Sequence, residues 1–414
     1  MAQFREHRRA AGSAWLLIVA VVLAGCGSAV SRQAAGGRPP AAPVTTPMPP
    51  AGPVRSRVAL ESLRMVTRRT GWAVSAGQDG YPLAVVRTAD GGLTWHDAGP
   101  PGPTGQVLPA AFYSARDAWV TWSRPFHPAW PVTYKTTDAG RTWTRMGSIG
   151  IRAIGASAPD MVTGRLGWVT AGLGAAAGSS GMALFRTVDG GARWQLAELT
   201  TGHGRLARGA IPFGCDKGDA VFSGPETGWV AGSCAGGRPA FWVTRDGGRA
   251  WQYQSLPRPS GTEPLASCQC LLTPPVFVSP SDGALWILGE PAFTAAAYLT
   301  RNGGRTWTPI RLPGSAVPVQ TPDFANSQDG FVIGGQMARD GQPAAPERLY
   351  ATTDGGAAWA VRSASPIPAQ PALDFLTPSV GFATSIRYGP LRPYLLETTN
   401  GGATWTSLPA SRTG

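Results

Sequence analysis

The stretch "TTDGGAAW", residues 352–359, places a carboxylate, Asp354, directly before two glycines. Those residue types build calcium loops and phosphate-cradling turns: carboxylate oxygens ligate a hard cation, and glycine N–H groups face an anion. Six more stretches repeat the wording: "TADGGLTW" ends at Trp95, "TTDAGRTW" at Trp143, "TVDGGARW" at Trp194, "TRDGGRAW" at Trp251, "TRNGGRTW" at Trp307 and "TTNGGATW" at Trp405. Their third residues are Asp90, Asp138, Asp189, Asp246, Asn302 and Asn400. A position that takes Asn in two copies needs an acceptor and not a charge, which argues against a metal set. No metal or other cofactor is expected. The short side chain accepts instead from backbone N–H groups across a turn, the fifth-position glycine tolerates positive φ, and the tryptophan packs flat.

Other residues offer binding chemistry. The loop "SRPFHPAWP" carries Arg124, His127 and Trp130; Arg205 and Glu290 stand in later connections; "IRYGPLRPY" carries Arg387, Tyr388 and Arg392. Arginine and aromatic groups around one mouth suit an anionic or carbohydrate-like ligand, the alternative being solvated loop decoration. With four histidines, one of them His7 near the start, no metal or Ser–His constellation stands out. Two carboxylates at the separation glycoside chemistry requires cannot be located, and no catalytic residue is assigned.

These residues need elements to hold them. The box tryptophans recur at intervals of 46 to 57 residues. Upstream of each box lies a short alternating run: "GWAVSAG" from 71, "AWVTW" from 118, "GWVTAG" from 167, "GWVAGS" from 228, "LWILGE" from 285, "GFVIGG" from 330 and "GFATS" from 381. Each reads as a strand, with another apolar run before it and one after. The unit is therefore strand a, strand b, strand c, box turn, strand d. Seven such units predict an all-β, seven-bladed β-propeller of four-stranded antiparallel blades over residues 58–410. Gly and Pro are plentiful, at 55 and 39, and charged residues make only 14%, which fits short strands and tight turns. Antiparallel succession sends the b–c and d–a loops, which carry the arginine and aromatic candidates, to the face opposite the box turns.

The box resembles the Asp-box, or BNR repeat, of sialidases, sortilin-type receptors and the photosystem II assembly-factor family; strand b plus "TxDGGxTW" is most similar to the last. The resemblance covers about 350 residues and implies a propeller in which the boxes are structural. Sialidases add an arginine triad and an "RIP" motif; no such motif is present, so a sialidase-like exo-glycoside hydrolase is the alternative to a binding or assembly scaffold.

Residues 1–26 run from Arg5, Arg8 and Arg9 through an apolar stretch to "LAGC", the order of a secretory signal. Leu23 to Cys26 resembles a bacterial lipoprotein signal box, which implies acylation at Cys26 and attachment to the outer face of the cytoplasmic membrane; an ordinary cleaved signal is the alternative. Residues 27–57, rich in Pro, Ala and Gly, read as a disordered tether. Removing the first 26 residues, with three arginines and Glu6, leaves 33 Lys plus Arg against 23 Asp plus Glu, a net charge of +10. The expected partners are the membrane and a protein or cell-envelope ligand, without nucleic acid, for a monomeric chain. Four cysteines remain. Cys215 with Cys234 is the preferred pair, leaving Cys268 with Cys270; a cross-blade pair, Cys215 with Cys270, stays open.

Overall fold

In every repeat the aromatic-led run becomes the second strand of an antiparallel four-stranded blade. The computed structural model describes residues 59–76, 82–101, 109–123, 128–176, 178–202, 209–234, 238–259, 269–290, 294–314, 316–335, 347–365, 371–385 and 395–413. Blade 1 is β1 (Ala59–Met65), β2 (Gly71–Ala76), β3 (Pro82–Thr88) and β4 (Thr94–Asp97), hydrogen-bonded in that order. Blades 2 to 7 follow over residues 110–148, 155–200, 215–253, 269–309, 317–364 and 371–408. The chain is a seven-bladed β-propeller with the box turns between strands c and d.

Blades adhere through aromatic pairs that the repeat sets up. The strand-b aromatic of one blade stacks on the strand-a phenylalanine of the next: Trp72 on Phe112 at 5.6 Å, Trp168 on Phe222 at 3.7 Å, Trp229 on Phe277 at 4.7 Å and Phe331 on Phe375 at 3.5 Å. Each such pair adds about 0.5–1.5 kcal/mol beyond its burial. A second device was not evident in the repeat wording. Asp160, Asp323 and Asp374 on strand a each accept a backbone N–H from strand a of the following blade, from Phe222 (2.6 Å), Phe375 (2.6 Å) and Met65 (2.7 Å).

The last of these bonds joins blade 7 to blade 1. Leu60, Met65 and Trp95 share a core with Phe382, Leu395 and Leu408 across the same seam. Arg68 meets Glu397 there at 2.6 Å. The tail beyond residue 410 carries no repeat wording, yet Ser411–Thr413 pairs in parallel with Thr94–His96 as a fifth strand of blade 1. Arg412 holds both carboxylate oxygens of Asp97, at 2.6 and 2.8 Å.

Candidate functional site

The box carboxylates are engaged within their own turns. Thr88 Oγ1 donates to Asp90 Oδ1 (2.8 Å) and accepts from Gly92 N (2.9 Å); Asp90 Oδ1 also accepts from Thr94 N (2.9 Å), and Oδ2 accepts from the Thr94 hydroxyl (2.5 Å). Where Asn stands, the last bond reverses. Asn302 Oδ1 accepts from Thr306 N (2.9 Å), while its Nδ2 donates to Thr306 Oγ1 (2.8 Å); Asn400 does the same with Thr404. A hydroxyl both donates and accepts, so Thr at the seventh position serves either side chain. Asp138 shows the cost of protonation: the Thr142 hydroxyl and N–H hold its carboxyl down at about 2.

The fifth-position glycine seats each turn on the preceding blade. Gly304 has φ +70°, and a Cβ there would lie 2.9 Å from Cε2 of the buried Trp229 in blade 4. Gly92 lies against Leu395 of blade 7 in the same way, at 2.6 Å. The turns are joints between blades.

Cys26, Arg124, His127, Arg205, Cys268, Arg387, Tyr388 and Arg392 lie outside the described residues. Trp130 is exposed beside the bridge that pairs Ala129 with Ala153 in blade 2. Glu290 ends strand b of blade 5, its backbone opposite Gln269; Cys270, in strand a of that blade, stands opposite Gly289. Cys215 and Cys234 are direct cross-strand partners in blade 4 and form a disulfide.

The structure brings another set of residues together, none of them singled out from sequence except Cys234. Between blades 4 and 5 lies a cavity of about 420 Å³, lined by blade 4 residues and by Leu272 of blade 5. Phe241, Leu256 and Leu272 give it an apolar floor; Arg238, Tyr253, Gln254 and Ser255 supply the polar groups. The connection after strand d that forms one wall is tied at two points: Gln254 N donates to Phe241 O (2.7 Å), and the buried Tyr298 hydroxyl donates to Pro257 O (2.9 Å). Burial pushes that phenol well above its ordinary range.

Gln254 is oriented by its neighbours. Its Nε2 donates to the carbonyls of Gly304 (2.7 Å) and Arg305 (3.3 Å), which can only accept, so the amide cannot be turned over. Oε1 is left buried without a partner. Arg238 and Ser255 are exposed, as is Tyr253 at 63%. Two other exposed arginines are engaged, Arg301 on the carbonyls of Asp354 and Gly355 and Arg362 on those of Asn400 and Gly401, whereas Arg116 and Arg348, like Arg238, are exposed with no side-chain partner among the described residues. The cleft thus offers a cation and two hydroxyls beside apolar side chains, groups suited to holding a ligand.

No family model matches the chain, and no curated protein matches it. Among solved structures it is similar to the GH74 xyloglucanase from Xanthomonas campestris, with TM-score 0.52 and 16% identity over 86% of this chain and 55% of that enzyme. The chain thus spans about half the enzyme's length. A structure from a study of two prolyl endopeptidases matches with TM-score 0.50 and 9% identity over 85% of this chain and 49% of that one. YCF48 bound to D1 peptide matches with TM-score 0.46 and 17% identity over 80% and 91%. At these identities the first two matches support the propeller fold and nothing finer.

Proposed function

We propose that the chain is a cell-envelope binding scaffold, held at the outer face of the membrane through Cys26, whose ligand enters the cleft between blades 4 and 5. The observation that carries this reading is the cavity itself, which gathers Arg238, Tyr253, Gln254 and Ser255 beside the apolar Phe241, Leu256 and Leu272. The seven turns, in this reading, are Asp-boxes of the structural kind, and the cleft between blades 4 and 5 binds. The run from Arg5 to Cys26 supplies export and the anchor, and residues 27–57 the tether.

The test has two arms. Wild type should stay in the membrane fraction and Cys26→Ser should leave it; equal release of both ends the anchor. From detergent-solubilised envelope, wild type should retain a bound species that the Arg238→Ala and Tyr253→Ala variants lose. Retention by both variants would remove the cleft from the reading.

A further inference from the structure

We propose that the Cys215–Cys234 disulfide is an exchange site for a small anionic thiol, which becomes joined to Cys234 while Cys215 leaves as a thiolate. The two cysteines are direct cross-strand partners, and the pairing of strands a and b holds their Cα atoms 4.0 Å apart. Disulfides usually span about 4.4–6.8 Å between Cα atoms, and a pair held closer is easier to reduce. Opening this bond leaves the blade assembled, because the same strands stay paired from Asp216 with Ser233 to Phe222 with Gly228.

The two cysteines are unequal. Cys215 is 5% exposed and belongs to the core between blades 3 and 4, whereas Cys234 lies at the margin of that core, partly exposed. An incoming thiolate therefore reaches Cys234. Arg238 stands directly opposite Cys234 on strand c, on the same face of the blade, exposed and without a side-chain partner among the described residues. Its charge favours an anionic thiol over a cationic one. Lys217 follows Cys215 by two residues and so shares its face. It is 6% exposed, and its Nζ donates to the carbonyls of Cys215 itself and of Phe213, the latter at 3.1 Å. Burial lowers its pKa to about 8, with Asp216 opposing, so the ammonium persists at neutral pH. A cation held against Cys215 lowers the pKa of that thiol, and a thiol of lower pKa leaves faster. The electron pair of the incoming thiolate forms the new S–S bond to Cys234, and the pair of the old bond departs with Cys215. A second thiolate then releases Cys234 as a thiolate, together with a symmetric small disulfide.

The experiment treats the purified full chain with mercaptoethanesulfonate or with cysteamine at neutral pH and low salt, quenches with acid, and maps adducts by peptide mass spectrometry. Rates are compared at equal thiolate concentration. In wild type the first adduct should sit on Cys234 with Cys215 free, and mercaptoethanesulfonate should react about threefold or more faster than cysteamine. Arg238→Ala should erase that preference and, being a change at an exposed residue, leave the thermal melt unmoved. Lys217→Gln should slow exchange with both thiols about threefold or more, while Lys217→Arg keeps the rate. The adduct position and the thiol preference are read on wild type and Arg238→Ala, so they decide the matter even where Lys217→Gln does not fold. A first adduct on Cys215, equal rates for the two thiols, reaction only in denaturant, or an unchanged rate in folded Lys217→Gln would overturn the proposal.

Discussion

Gly303 and Gly304 are adjacent, share nearly the same backbone conformation and differ in what lies above them, so substituting each in turn separates two costs. Both have positive φ, +67° and +70°, and an L-residue there costs about 1–2 kcal/mol. For Gly303 the nearest atom to a new Cβ is Pro280 O at 3.1 Å, and little more is expected. For Gly304 the new methyl meets Trp229, a fully buried ring stacked on Phe277 and edge-on to Trp307. That ring has nowhere to go, and overpacking adds about 1–3 kcal/mol. Gly303→Ala should therefore lose about 1–2 kcal/mol and Gly304→Ala about 2–5, read from urea midpoints with unchanged m-values. Gly304 O also holds the Gln254 amide, so Gly304→Ala should disturb ligand binding in the folded fraction while Gly303→Ala leaves it alone. Equal losses, within about 0.5 kcal/mol, would refute the idea that the fifth glycine is required by the neighbouring blade.

Three further outcomes follow from the turns and the seam. The carboxyls of Asp90, Asp138, Asp189, Asp246 and Asp354 are held below their ordinary value; their contribution is present above the unfolded value of about 3.9 and lost as pH falls through the folded one. Stability should decline from about pH 4 toward pH 2, and replacing all five by Asn should flatten that limb of the melt profile; an unchanged slope contradicts it. Ala139 alone among the fourth positions is not glycine, with φ +67°, so Ala139→Gly should stabilise by about 1 kcal/mol in chemical denaturation. Arg412 and Asp97 form a surface pair, 31% and 55% exposed, so Arg412→Ala should cost no more than about 1 kcal/mol. Deleting residues 410–414 removes a whole strand and buried Ala410 and should lower the melting temperature more than Arg412→Ala; the reverse order would place the latch elsewhere.

The propeller was legible because its signal repeats: an aromatic at strand b and a Gly-Gly turn before a Trp read the same way seven times. The interchange of Asp and Asn was legible as an acceptor requirement, but the reversal at Asn302 was not, since it depends on which way the Thr306 hydroxyl points. Asp160, Asp323 and Asp374 escaped because the equivalent place is Arg64 in blade 1 and Ala111 in blade 2, so no common residue type marks it. The tail strand has three residues, too few for periodicity to register. The cleft was hidden for a related reason. Tyr253 stands two residues after a box tryptophan, where other blades carry Asp97, Arg145, Leu196, Pro309, Val361 and Ser407, and this variety reads as ordinary outer-strand surface. Only the path of the connection after Gln254, tied to Phe241 and Tyr298, turns that position into the wall of a cavity.

The claim that the cleft between blades 4 and 5 is where this propeller binds is tested most directly by a photo-reactive phenylalanine placed at position 253 and, separately, at Leu93 on the box turn of blade 1, with irradiation in intact envelopes. Both positions are exposed, at 63% and 44%, so solvent access does not favour one strongly over the other. The account predicts an adduct from position 253 that disappears when Arg238→Ala is added, and none from position 93. An adduct from position 93 alone, or one from 253 that is indifferent to Arg238, would contradict it.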